Sequence, residues 1–339
     1  MRFFNWWGRR ELPEGAQRHD LDEALERVIR VVPRLRAASG CRARLAPALA
    51  TALADLEALV ASLPDPAELD AASWSTDPRI RAFFASPADI LLVLSRSPDV
   101  RDFLAGTTEA SDGYAVLAMT MEERRRFGVV QDGEATLGDV AQTVMSFSDH
   151  RIRACSPTLA ALKRAIVMQL VDQLALEGLD RMLAGDERRQ ALNLEHGLLA
   201  ARLRLLQRQG TGLRSLLGDE NPRGATGLAV LQQEIEANAS ELQALGPRSA
   251  ALEGQLQTMA EVLRNAVSLV RVSTLALRLN QMNAVVPPYS AQPCELVEFQ
   301  RARIPGRPPV VRAFALVRFC RREVPQPETL LDEVARWLA

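Results

Sequence analysis

The chain has 339 residues, 47% of them hydrophobic, with a formal charge of −1 and aromatics at 5%. That is enough apolar material for a buried core, which excludes wholesale disorder, and too little net charge to draw the whole chain to nucleic acid or acidic lipid. The length accommodates two or three domains, and a composition led by Leu and Ala favours helices over sheets.

Residues 20–39 read as a helix, with Asp20 as N-cap, Glu23 completing a capping box, and Leu21, Leu25, Val28, Val32 and Leu35 on one face. Pro33 is expected to kink it or split off its last turn. A second helix, about 42–63, carries Leu45, Leu49, Leu53, Leu56, Val60 and Leu63 and pairs with the first across Ser39-Gly40. Asp65-Pro66, Asp77-Pro78, Ser86-Pro87 and Ser97-Pro98 then place a capping residue directly before proline, the start signal of a short helix. Trp74, Phe83, Phe84, Leu91, Leu92, Leu94 and Phe103 supply a core for that cluster.

Residues 114–150 change character. YAVLAMTM, FGVV and QTVMSFS suit strands, and Asp132-Gly133 signals a turn, so a small antiparallel sheet is expected. A helix resumes at Ser156-Pro157 and is expected to stop at Gly185. Leu192, His196, Leu199, Leu203, Leu206, Gly210, Leu213 and Leu217 then alternate three- and four-residue spacing. The same alternation runs from Leu228 through Asn238, Leu242, Leu256 and Leu263 to Val270. A 3.5-residue repeat keeps one face turned to a partner helix, so the two arms predict a coiled-coil hairpin, with a break at Gly246-Pro247. Past Pro287-Pro288, CELVEFQRARI and VVRAFALVRFCRR read as two strands, followed by a helix from Glu328 to Leu338 that holds Trp337.

Chemical motifs are scarce. Lys163, the only lysine, is followed by arginine, which excludes a Walker A loop, and no G-x-G-x-x-G, G-x-S-x-G or H-E-x-x-H occurs. Cys41, Cys155, Cys294 and Cys320 form no close pair, and His19, His150 and His196 are far apart, so no metal and no cofactor is expected. Buried, reduced thiols fit a cytoplasmic chain, and no signal peptide or apolar span is visible. Ser148-Asp149-His150-Arg151 puts an imidazole between a carboxylate and a guanidinium, a set suited to acid–base work or to ordering a turn. The Asp-His-Arg triplet resembles a short piece of the enolpyruvyl-shikimate-phosphate synthase family. The glycine- and lysine-rich phosphate sites of that family are missing, so no membership follows.

Charge is uneven. Between Leu45 and Pro78 stand six acidic residues and no basic one, whereas Glu295 to Glu323 holds seven arginines against three glutamates. Arg301, Arg303, Arg312, Arg318, Arg321 and Arg322, interleaved with Phe299, Phe314 and Phe319, read as a phosphate-tracking surface, as a contact to an acidic partner, or as plain surface. Phe3, Phe4, Trp6 and Trp7 before Arg9 and Arg10 suit a lipid headgroup layer, a partner groove, or docking on the protein's own core.

The expected fold is mainly α within the α+β class. It is a helical bundle with an antiparallel coiled-coil hairpin and a small antiparallel β element. Expected parts are an N-terminal helical region (1–110), the β element (111–155), a long helix with the hairpin (156–286), and a basic β-hairpin with a final helix (287–339), which joins the earlier sheet. The expected function is a non-enzymatic assembly or adaptor role through protein contacts at Leu199, Leu206, Asn238, Leu242 and Leu256, including self-association. The expected compartment is the cytoplasm, with weak peripheral attachment at the inner membrane face as a rider. Nucleic-acid association and an enzyme with its site near His150 are the alternatives, and no catalytic residue is assigned.

Overall fold

The computed structural model describes residues 14–106, 111–132, 135–217, 222–244, 251–290, 292–306 and 308–325, and contacts divide the chain into two compact units. Phe3, Phe4, Trp6, Trp7, the Gly246-Pro247 break and the expected last helix with Trp337 lie outside the described residues, as does the side chain of Leu206.

The first unit joins the residues up to Ala50 with Ala175–Arg264. Helix α1 (Glu14–Val31) ends where Pro33, which has no N–H to donate, opens a 3-10 turn at Pro33–Ala37. Re-entry into α2 (Cys41–Ala61) needs a left-handed residue, and Gly40 supplies it at φ 63°. Leu25, Val28, Ile29 and Leu35 are buried with Leu45 and Leu49 of α2.

Short elements follow in the chain: β1 (Ala67–Glu68), α3 (Ser73–Thr76), α4 (Pro78–Phe83), α5 (Pro87–Arg96) and α6 (Pro98–Gly106). Prolines 78, 87 and 98 each occupy the first helical position. Asp77 caps α4 by accepting from the Arg79 amide at 2.8 Å, and the Asp89 carboxylate accepts from the Ser86 amide at 2.9 Å. The Asp65-Pro66 junction differs, because it leads into β1.

Two strands come next, β2 (Asp112–Asp132) and β3 (Ala135–Ser156), then α7 (Leu159–Leu217), α8 (Pro222–Ala244), α9 (Ala251–Arg264) and the single turn α10 (Ala266–Leu269). Helix α7 runs straight through Gly185, contrary to the stop expected there. A mid-helix glycine costs only about 1 kcal/mol, which flanking packing at Met182 and Leu192 offsets. Within the first unit, α8 and α9 return antiparallel to α7. Contacts step from Gly178–Met259 through Asp186–Gln255 and Arg188–Glu241 to Glu195–Asn238, one number rising as the other falls. Met259 fills the space that a Cβ at Gly178 would take.

The second unit, Thr51–Leu174 with the residues from Asn265 onward, overturns the expectation of a small β element. Strands β4 (Arg271–Leu279), β5 (Glu295–Ile304) and β6 (Val310–Cys320) join β2 and β3 in the order β3-β2-β6-β5-β4, all antiparallel. Strand β1 adds to β6 in parallel at Val317 and Arg318, beyond Phe314, where the pairing of β6 with β5 stops. The result is a six-stranded sheet whose two longest strands have 21 and 22 residues. Strand β2 keeps its ladder through Glu122–Phe127, a stretch exposed on both faces. Hydropathy marks such a segment as a loop, yet β3 satisfies its backbone groups.

The sheet is rolled. Phe147 on β3 and Phe299 on β5 lie 5.1 Å apart by ring centroid although two strands separate them in the order. Phe83 of α4 packs against both, and Ile80, Leu94, Val100 and Phe103 of the short helices join this core. Residues 283–286 tie the two edges together: Val285 bridges Leu279 at the β4 end, and Ala284 bridges Val144 of β3. Edge amides that would otherwise template other strands are thereby used. Two bulges bend β3, at Asp149 (φ 52°) and Ala154 (φ 57°), where β3 advances three residues against two on β2.

Candidate assembly surface

Helix α7 carries two apolar rows. One faces α8 and α9: Met182 and Leu192 are buried there, opposite Leu231, Asn238, Leu256 and Met259 of the returning arm. Of the residues expected to meet a partner, Asn238 and Leu256 are thus enclosed within the unit, and Leu199 and Leu242 are half-buried. The Asn238 Nδ2 donates to Glu195 Oε2 at 3.2 Å, whereas its Oδ1 and the Nδ1 of His196 are buried without a partner.

The second row lies on the other side of the helix. Leu176, Leu183, Leu194 and Leu198 fall within about 60° of one another at 100° per residue, and roughly opposite Leu192 and His196. They are 44%, 46%, 71% and 73% exposed. Asp180 and the exposed Glu187 fall within the same arc, Glu177 stands beside its start, and Arg202 and Arg204 flank its far end. This row was legible as a second apolar phase alongside the inner seam. The inner repeat, which begins at Leu192, is longer and more regular.

Half of the six arginines are occupied within the chain. Arg318 donates to Glu68 and Asp112, each at 2.9 Å, and these carboxylates, Asp112 first, hold its pKa above the usual guanidinium range. Glu68 belongs to the acidic run noted in the sequence. Arg312 donates to Thr120 and, at 2.8 Å, to Asp149, and Arg321 donates to the Leu104 carbonyl at 2.8 Å. Arg301 is half-buried, with Nε lacking a partner, and Arg303 and Arg322 are exposed. Phe299 and Phe319 are both 1% exposed, so neither offers a ring for base stacking, and Phe314 is half-buried.

The Asp149-His150-Arg151 group sits on a β3 bulge. The His150 ring stacks on Phe84 at 4.7 Å, its Nε2 lies 2.9 Å from the Phe83 carbonyl, and burial pushes its pKa down. A neutral ring with Nε2–H donating satisfies that geometry. Asp149 accepts from Arg151 at 2.9 Å and from Arg312, and these bonds lower its pKa. The cavity of about 300 Å³ beside His150 is lined by Arg96, Arg151 and Arg153 and by no carboxylate, so it provides no acid–base pair. Burial also pushes the Cys155 thiol up to about 12.

Among the described residues no helix is long and apolar enough to cross a membrane, and no group of three or more His, Cys, Asp or Glu is placed to hold a metal ion. No protein-family model matches this chain, and no curated protein and no solved structure does so either.

Proposed function

We propose that the protein is a non-enzymatic assembly factor that self-associates through the outer face of α7. The row Leu176, Leu183, Leu194 and Leu198 carries this reading, because these side chains remain exposed along a helix whose opposite face is already packed. The occupant that fits is a second copy laid antiparallel, with the two-fold axis near residue 190. Leu183 of one copy then faces Leu198 of the other, and Glu177 and Asp180 approach Arg202 and Arg204. Such flanking charges set orientation more than strength. Free cysteines at 41, 155, 294 and 320 support a reducing, cytoplasmic setting.

Sedimentation equilibrium of the full chain across a wide concentration range tests the proposal. The expected result is a concentration-dependent rise to twice the chain mass, lost in Leu194→Arg. A single chain mass at every concentration overturns it, and so does a dimer that tolerates arginine at 194.

A further inference from the structure

A separate feature of the second unit, independent of self-association, carries one more function. Between the outer face of the rolled sheet and the stretches of α2 and α7 that belong to this unit lies a cavity of about 350 Å³. Its walls are Leu59 from α2 and Leu63 just past its end, Ile166 and Leu170 from α7, and Val272 and Phe314 from the sheet. The room arises from small residues at defined register positions. Ala118 lies beside Phe314 on the neighbouring strand, and Ala302 lies between Val272 and Arg312. A methyl group at each place leaves the space that a larger β-former would fill.

The lining of this apolar space also carries charge. Arg312 sits on β6, a central strand, where a guanidinium is costly unless paired. It is paired through Nη1 alone, to Thr120 and to Asp149. Among the described residues nothing accepts from its Nε or Nη2. Arg153 is a second guanidinium in the lining, bonded to Asp99 at 3.2 Å. Asp172 of α7 also lines the wall, together with Gln169 and Gln173. Asp149 and Asp99 already offset the two arginines, so what Arg312 offers a ligand is its unused N–H donors and not a surplus of positive charge.

The geometry points to a binding site for a medium-chain monocarboxylate, its chain among the leucines and its carboxylate on Arg312. A guanidinium offers paired N–H donors that match a carboxylate, and an apolar pocket with a few converging polar groups is the usual form of a small-molecule site. Asp149 on Nη1 and Asp172 in the wall disfavour a second negative charge, which selects a monoanion over a dianion.

Calorimetric titration of the full chain with sodium decanoate tests this, alongside decan-1-ol and decyltrimethylammonium below their aggregation limits. Decanoate is expected to bind one saturable site with Kd on the order of 10–100 µM, and the neutral and cationic chains about tenfold or more weakly. Arg312→Gln is expected to weaken decanoate by about tenfold or more. Because Arg312 also holds Asp149 and Thr120, that variant is checked by circular dichroism. Should it fail to fold, Ala302→Phe decides, since it fills the cavity while leaving Arg312, Asp149 and Thr120 all present, and it is expected to abolish binding. Absence of saturable decanoate binding up to about 1 mM, equal binding of decanol, or undiminished binding by Ala302→Phe overturns the assignment.

Discussion

Replacing Leu194 by glutamine isolates the apolar contribution of the outer α7 row. Full burial of a leucine side chain is worth about 1.5–3 kcal/mol. Leu194 starts 71% exposed, so about 1–2 kcal/mol per copy is at stake when a second chain covers it. A two-fold contact contains the substitution twice, for about 2–4 kcal/mol, which corresponds to a roughly thirty- to thousandfold rise in the dimer Kd. The separate chain should hardly notice, because glutamine is nearly as good a helix former as leucine and the site is exposed, with a change within about 0.5 kcal/mol. The assay pairs sedimentation equilibrium, for Kd, with thermal melting by circular dichroism, for the fold. An unchanged Kd refutes the reasoning. So does loss of association that arrives only with loss of helix, since Leu194 would then act on the fold and not on a contact.

Three other outcomes follow from the described geometry. Burial depresses the His150 pKa, so the unfolded chain takes up a proton below about pH 6.5 while the folded chain does not. Its share of stability is therefore full above that pH and lost as pH falls below it; His150→Phe keeps the stack on Phe84 and should flatten the melting temperature between about pH 6.5 and 5, and an undiminished slope there counts against a buried neutral ring. Asn238→Leu removes a buried Oδ1 with no partner and should stabilise the first unit by about 1 kcal/mol in chemical denaturation, whereas a comparable loss would show that Oδ1 is satisfied after all. Cys155, with its thiol pushed up to about 12, should resist alkylation at about pH 8 until the chain unfolds, and rapid labelling of a variant retaining only this cysteine contradicts the burial assigned to it.

Much of the helical structure was legible because its signals are local. A capping residue before Pro78, Pro87 and Pro98 starts α4, α5 and α6, and the 3.5-residue leucine repeat marks α7 and its returning arm within any window of two turns. The limits of local signals show at Asp65-Pro66, where the same dipeptide pattern precedes β1, and at Gly185, where packing carries α7 onward. The three-and-four alternation extends to Val270, whereas RVSTLALRL, directly after it, carries no local turn signal that would set it apart as a strand. Only pairing with β5 at Glu295–Arg303 makes that segment a strand.

The candidate sites divide in the same way. The outer leucine row of α7 depends on a period of 3.6 residues, so the sequence by itself determined it, although its exposure awaited knowledge of what covers the opposite face. The cavity at Arg312 depends on which residues stand beside it, and those were decided by tertiary structure alone. Arg312 meets Thr120 and Asp149 across about 160–190 residues of chain, and Ala302 lies next to it only in the β5–β6 register. Strand pairing is set by the joint burial of distant faces, and a single-residue slip would turn every one of these side chains to the other side of the sheet. Helical periodicity belongs to one segment and can be read from it, whereas register belongs to two segments and is decided only where they meet.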